Sequence, residues 1–457
     1  VLLFADSTRP DRDVLVTGIG IVSPLGVSQK ESWEKLIAGH RACRLLTPDD
    51  IDRHEQLSSL AGLRIAGAPV KHSEVAERLQ SALAEFDHRC DSILSTIRSA
   101  ASEPLIAMTL LAFCDAVRDA GLPIPLQLPD AACILGASKG GMRSMEQACH
   151  DLRGDVHRKS LPKETPEASK PGVSNEFSSW NRFQCDVPAQ LVAALAGSMR
   201  STSSPVAACA TGLISLIQAA AEIHFRGADV CIAGSADAAL RASVLASFHR
   251  LRVTSGHADP STACRPFDET RNGFVVGEGA AVMILESRRH AESRGAVSYG
   301  RVTAGGWLSD PTGMTQIDAT GSVVAELIRR VRAVLPPAPS ARSVDYLNFH
   351  GTGTETNDLA EARGILAAFP DGYPACSGFK GSVGHLLGAA GSVESALTLM
   401  ALRNGVIPGT VNHSVTDPRL LPLRPVSITQ AADLRRVMKL SLGFGGHVAA
   451  GVFDRHH

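Results

Sequence analysis

Cys209 lies in Val206-Ala207-Ala208-Cys209-Ala210-Thr211-Gly212-Leu213, with small residues on either side of it. Leu213, Ile214, Leu216, Ile217 and Ala220 then fall at helical spacing, and Arg226-Gly227 ends the run. A cysteine at a helix N-terminus meets free N–H groups and the positive end of the dipole. Both favour the thiolate, the form that attacks thioesters. Most free cysteines are inert packing, so it is this setting that separates Cys209 from the other nine. His350 ends an apolar run, Asp345 to Phe349, and opens the loop His350-Gly351-Thr352-Gly353-Thr354. Strand ends of this kind face ligands in open α/β sheets, although a lone histidine is more often structural. Lys380 and His385 flank the start of a small-residue helix, Lys380-Gly381-Ser382-Val383-Gly384-His385-Leu386-Leu387-Gly388-Ala389-Ala390-Gly391. Such a helix approaches another backbone closely. Glu394 follows His385 by nine positions on the expected helix, beyond direct i,i+4 pairing. Leu442-Gly443-Phe444-Gly445-Gly446 is a turn suited to aiming N–H groups at an oxyanion, or an ordinary hairpin. A rival nucleophile is Ser138, in Gly136-Ala137-Ser138-Lys139-Gly140 after a short strand, the context of a hydrolase elbow.

These residues need elements to hold them. Asp13 to Gly18 reads as a buried strand entering a Gly/Pro turn. Ser102 to Ala120 reads as a helix with Ser102 as N-cap, Pro104 in the first turn, and Gly121 and Pro123 as its stop. Residues 131–135, 230–233, 282–285 and 345–349 are short apolar strands. A helix is expected from about His385 to Arg403, closed by Asn404-Gly405. Leu440 to Leu442 and Val448 to Phe453 flank the Gly445-Gly446 turn. Strand–helix alternation of this kind implies an α/β architecture. Residues 151–187 are polar and aperiodic and read as a surface insertion or lid.

Composition narrows the function. With 457 residues the chain buries a sizeable core unaided, and 44% hydrophobic with 20% charged residues argues against disorder. Forty-five basic against 46 acidic residues leave a net charge of −1, unlike a dedicated nucleic-acid binder. No apolar run reaches membrane-spanning length, and Val1 to Asp6 has no basic n-region of a signal peptide. The ten cysteines are never closer than 16 positions, so neither a zinc site nor a disulfide scaffold is expected, and the reducing cytoplasm is. No P-loop is present, and Gly277-Glu278-Gly279 lacks the third glycine of a dinucleotide fingerprint.

Taken in order, the Cys209 segment, His-Gly-Thr-Gly-Thr from 350, Lys380 with His385, and Gly-Phe-Gly-Gly at 443–446 resemble the β-ketoacyl-acyl-carrier-protein synthases. Val16-Thr17-Gly18-Ile19-Gly20, Ser23-Pro24-Leu25-Gly26, Arg265-Pro266-Phe267-Asp268 and Asn272-Gly273-Phe274 add to the likeness, which runs from about 13 to 453. The resemblance implies a thiolase-like fold of five α-β-α-β-α layers, usually as a homodimer. Residues 1–266 would form the half with the nucleophile and 267–457 the half with both histidines. Cys209 would take an acyl group from a carrier-protein or coenzyme-A thioester. His350 and His385 would promote decarboxylation of malonyl carrier protein and stabilise the enolate that attacks the acyl-cysteine. Backbone N–H groups of Cys209 and Phe444 would hold the oxyanion, and Phe444 would gate the acyl pocket. Glu394 would hold Lys380 near His385, and Thr352 and Thr354 would line the pantetheine tunnel. No metal or redox cofactor is required.

The chain departs from that family in places. His447-Val448 stand where an Asn usually follows the glycine turn, and Asp310-Pro311-Thr312-Gly313 replaces an Asp-x-x-His pattern. Residues 189–204 lack the usual Asn-containing helix. These departures motivate a second reading, acyl transfer without chain extension. Two weaker readings are a serine hydrolase through Ser138 and a non-catalytic partner subunit, against which Cys209 argues. An acidic carrier protein asks for a basic rim, for which His157-Arg158-Lys159, Lys163, Arg250 and Arg252 are the candidates.

Overall fold

The computed structural model describes residues 1–5, 8–47, 49–51, 65–86, 91–124, 126–149, 182–337 and 343–456. The first strand, β1 (Val14–Val22), is buried along its whole length. It runs straight through Gly18 and Gly20, where the sequence suggests a turn. The reason is the helix α1 (Pro104–Asp119) lying on it. A Cβ at Gly18 would stand 2.2 Å from the Ala116 carbonyl oxygen, and one at Gly20 1.9 Å from that of Ala112. The glycines seat a helix rather than bend a strand. Pro104 opens α1 as expected, but the N-cap position belongs to Glu103, not Ser102.

The first half continues with β2 (Ala132–Ala137), α2 (Val187–Ala196), β3 (Thr202–Ser203), α3 (Thr211–His224), β4 (Val230–Asp237) and β5 (Gly279–Ser287). The second half repeats the series with β6 (Gly300–Ser309), α4 (Ser322–Val334), β7 (Tyr346–Asn348), α5 (Glu355–Ala368), β8 (Ala375–Ser377), α6 (Ala390–Asn404), β9 (Arg436–Gly443) and β10 (His447–Asp454).

The strands join in the order β8-β7-β9-β10-β6-β1-β5-β4-β2-β3, and Leu2–Leu3 adds a short strand beside β6. The pairing senses match between the halves. β1 and β5 are antiparallel, as are β6 and β10; β4 and β2 are parallel, as are β9 and β7. The strand pattern thus repeats from one half to the other. The halves meet where β6 pairs with β1 over Gly300–Val302 against Val14–Val16. The division expected at 266/267 falls ahead of β5, which pairs with β1 and β4 of the first half. By strand topology the change-over lies between Ser287 and Gly300.

Helices α1 and α2 cover the outside of the first set of strands, and α4 with α5 the outside of the second. Between the two sets lie α3 and α6, each buried on nearly every side. That is the five-layer thiolase-like arrangement. A helix wrapped in protein is apolar all round, and Leu213, Leu216, Ile217, Val393 and Leu397 are almost wholly buried. Burial of each contributes about 1.5–3 kcal/mol. The two central helices touch through glycine. A Cβ on Gly212 would lie 2.2 Å from the Ser392 amide nitrogen, and one on Gly391 2.5 Å from that of Leu213. The residues of the expected insertion up to 181 lie outside the described residues; its end, from Val187, begins α2.

Candidate active site

The chain enters α3 through a tight turn. Thr211 Oγ1 accepts from the Ala207 amide at 2.9 Å and donates to the Ala208 carbonyl at 2.8 Å. Ala208 is held at φ 45°, a left-handed conformation that an alanine adopts at a cost. A single 3-10 turn, Ala208–Ala210, then carries Cys209 ahead of the helix proper. The Gly443–Gly446 turn closes over it. A Cβ on Gly443 would stand 2.7 Å from the Ala207 carbonyl oxygen and 3.1 Å from the Cys209 amide nitrogen, so only glycine lets this turn approach. The Phe444 N–H thereby favours the ionised form of the Cys209 sulfur.

Burial pushes the Cys209 thiol up to about 11, although Lys139, Lys380 and the Phe444 N–H pull the other way. The helix terminus alone therefore does not deliver the ionised thiol expected from sequence. An imidazole meets the thiol instead: His385 Nε2 is 3.1 Å from Sγ.

His385 is not on the long helix. The chain makes one turn, Lys380–Val383, and breaks at Gly384 (φ 72°). His385 then bridges backbone to backbone with the 275–277 segment, through Val275 at 2.7 Å and Gly277 at 2.9 Å. Only from Ala390 does α6 run, closed by Gly405 at φ 64°. The break turns the His385 ring toward Cys209 while Glu394, one turn into α6, points elsewhere. The His350 ring lies 5.3 Å from that of His385, nearly perpendicular to it, and Phe274 stacks edge-on against His385 at 5.0 Å. Burial, reinforced by Lys380, holds both histidines well below the usual imidazole range, so both are neutral near pH 7.

Lys380 contacts His350 rather than His385. Its Nζ donates to the His350 carbonyl, lies 3.3 Å from Nδ1, and pairs with Glu394 Oε1 at 2.7 Å. With Nδ1 accepting from an ammonium, the ring proton of His350 sits on Nε2. The sequence reading missed three groups around this point. Lys439, fully buried in β9, pairs with Glu394 Oε2 and donates to the Phe349 carbonyl at 2.8 Å. Glu361 accepts from the amides of His350 at 2.5 Å and Gly351 at 2.8 Å, and burial raises it to about 7. Asp358 accepts from the Phe267 amide at 2.7 Å and the Gly353 amide at 3.2 Å. The signals were a lysine inside an apolar strand and two acids three apart on α5, one helical face.

Cys209, His350, His385 and Phe444 share a cavity of about 390 Å³ with Thr352 and Thr354, whose hydroxyls lie 2.8 Å apart. His447, a departure from the resembled family, and Asp310, which opens the altered Asp-x-x-His stretch, line it too. Asp310 organises its loop by accepting from the amides of Thr312 at 2.9 Å and Asp318 at 2.8 Å. The glycine turn is held by backbone bonds, Asp310 N to the Gly446 carbonyl at 2.8 Å and Gly445 N to the Met314 carbonyl at 2.7 Å.

Ser138 has no imidazole partner among the described residues. Its hydroxyl donates to Asp237 and accepts from Lys139 at 2.7 Å, and Asp237 also takes the Gly388 amide at 3.0 Å. The structure thus sets Ser138 between Asp237 and Lys139 rather than beside a histidine. Of the basic candidates, Arg250 and Arg252 are exposed and border a surface depression with His249 and Thr254. His157, Arg158, Lys159 and Lys163 lie outside the described residues. Among the described residues no cluster of His, Cys, Asp or Glu is placed to hold a metal ion, and no helix is long and apolar enough to cross a membrane.

Comparison with known proteins agrees with this arrangement. The chain matches the family described as "Beta-ketoacyl synthase, N-terminal domain" over residues 11–291 and the corresponding C-terminal domain over 299–414. It is 32% identical to the mitochondrial 3-oxoacyl-[acyl-carrier-protein] synthase of Arabidopsis thaliana, over 98% of this chain and 94% of that protein. It is 31% identical to a putative polyketide beta-ketoacyl synthase of Streptomyces halstedii, over 96% and 97%. A beta-ketoacyl synthase from Burkholderia phymatum superposes with a TM-score of 0.77 at 26% identity, covering 97% of this chain and all of that one. A chain of a type II polyketide ketosynthase in complex with its acyl-carrier protein superposes at 0.80 and 24% identity, over 98% and 100%, a likeness of fold. The chain belongs to the beta-ketoacyl synthase family and is a condensing acyltransferase of the fatty-acid and polyketide type.

Proposed function

We propose that this chain catalyses decarboxylating Claisen condensation between an acyl group carried on Cys209 and malonyl-acyl carrier protein, giving 3-oxoacyl-acyl carrier protein. The observation that carries the reading is the 3.1 Å contact between Cys209 Sγ and His385 Nε2, beside the second imidazole and at the floor of one cavity. In loading, the thiol attacks the thioester carbonyl as its proton passes to His385. The carbonyl oxygen takes negative charge, which the N–H groups of Cys209 and Phe444 stabilise. The carrier's sulfur leaves with a proton returned from His385, and an acyl-cysteine remains.

Malonyl carrier protein then enters past Thr352 and Thr354. Its Cα–carboxylate bond breaks, carbon dioxide departs, and the electron pair becomes an enolate. Donation to the thioester oxygen, from His350 Nε2–H and from His385 once its ring proton has moved from Nδ1 to Nε2, lowers that barrier. The enolate carbon attacks the acyl carbonyl, the C–S bond to Cys209 breaks, and the thiolate is reprotonated. Lys380 and Glu394 act through His350 as positioning residues.

The carrier protein is the partner in this reading, docking by its acidic surface on a rim that includes Arg250 and Arg252. Rim contacts of that kind weaken as salt is raised. The working form is a homodimer in the cytoplasm, measurable by sedimentation and cell fractionation. Incubation with acyl- and malonyl-carrier proteins tests the chemistry: carbon dioxide and a product two carbons longer are expected. Normal loading of Cys209 with no extension would establish simple acyl transfer instead.

A further inference from the structure

Four consecutive backbone groups surround His350, and side chains hold all of them. Lys439 takes the Phe349 carbonyl at 2.8 Å, Glu361 the His350 amide, Lys380 the His350 carbonyl, and Glu361 again the Gly351 amide at 2.8 Å. β7 ends at Asn348, so the sheet ladder no longer fixes these groups. The two lysines divide the oxygens of one carboxylate, Glu394, and all three side chains are completely buried.

Lys439 is an expensive choice for this position. It pairs in register with Asn348 on one side and Gly451 on the other, inside a strand otherwise rich in Val, Met and Leu. Taking an ammonium out of water costs several kcal/mol, and a well-packed apolar side chain in its place is often no less stable. Without Lys439, Lys380 and Glu394 would still form a balanced pair. With it, two lysines share one carboxylate, and the burial that disfavours ionised Glu361 also lowers Lys439 to about 8, Glu394 opposing that fall.

We propose that Lys439 is a positioning residue for the decarboxylating half of the reaction. It fixes the carbonyl that precedes His350, and it adds positive charge behind the imidazole that receives the enolate. Loading of Cys209 uses the Phe444 turn and His385, neither of which Lys439 touches. The inference rests on the condensation reading above. It predicts a split between the two half-reactions that loss of stability alone would not produce.

The test uses the full chain carrying Lys439→Met. Loading of Cys209 from acyl carrier protein is followed by intact-protein mass spectrometry. Carbon dioxide release from malonyl carrier protein is followed in parallel, with thermal unfolding as the check on folding. The expected result is kcat for carbon dioxide release down by about ten- to a hundredfold, KM for malonyl carrier protein within about twofold, and loading within about threefold. If Lys439→Met does not fold, Lys439→Gln removes the charge while keeping a donor for the Phe349 carbonyl, and a smaller split in the same direction is expected. Unchanged carbon dioxide release, or equal losses in both half-reactions, overturns the proposal. Failure of the unsubstituted protein to release carbon dioxide would instead remove the condensation reading beneath it.

Discussion

If His385 rather than prior ionisation activates Cys209, the thiol will behave differently toward a passive reagent and toward its substrate. At pH 8 a thiol at about 11 is ionised in about one molecule in a thousand, against about a quarter for an ordinary cysteine. A thiolate of higher basicity is intrinsically more nucleophilic, which returns about a factor of ten. The net expectation is that iodoacetamide alkylates Cys209 about twentyfold more slowly than free cysteine at pH 8. The rate should climb about tenfold per pH unit from 7 to 10 without levelling off. Acyl transfer from a thioester should show no such climb, because His385 lies 3.1 Å away, stays neutral above pH 7, and takes the proton in the transition state. His385→Gln removes that base. It should slow acylation by about 10²- to 10⁴-fold while leaving alkylation within a few-fold. Both rates can be read by mass spectrometry of the peptide carrying Cys209. An alkylation profile that levels off below pH 8 would refute this reasoning, since it would mean that the helix terminus and lysines already ionise the sulfur.

Other consequences can be checked separately. Glu286 bonds Arg294, His290 and Thr17, and those partners hold it at about 2 despite burial. Against the ordinary 4.5 this corresponds to about 3 kcal/mol of stability, complete above pH 4.5 and lost as pH falls through 2. Glu286→Gln should therefore unfold at lower denaturant at pH 7, with the gap to the unsubstituted protein closing in acid. Gly212→Ala should abolish soluble protein, because its Cβ would stand 2.2 Å from the Ser392 nitrogen of the facing helix. Gly39→Ala, with φ 74° and nothing within 4 Å, should cost only about 1–2 kcal/mol by denaturant titration. Cys209→Ala should end thioester turnover and Ser138→Ala should retain it; the opposite pattern would return the chain to the hydrolase reading.

Cys209, His350 and His385 were legible because their chemistry and their glycine-rich surroundings are local. A cysteine ahead of a helix start and a histidine at a strand end each leave a mark within a few residues. The α/β class was legible for the same reason, since strand and helix periodicities are short-range. Other features depend on what arrives from far along the chain. Gly18 and Gly20 read as a turn until Ala112 and Ala116 of α1 pack onto them. Glu394 and His385 read as one helix until the backbone breaks at Gly384 and His385 pairs with the 275–277 segment. The ionisation of Cys209 turned on burial, which no local motif reports. Sequence determined which residues come together in the cavity and roughly which elements present them. Only tertiary structure decided that Lys380 contacts His350, that Lys439 joins it on Glu394, and that burial pushes the thiol upward. The physical reason is that hydrogen bonds, desolvation and charge pairing act through space over a few ångströms, whereas these partners stand up to 176 positions apart along the chain.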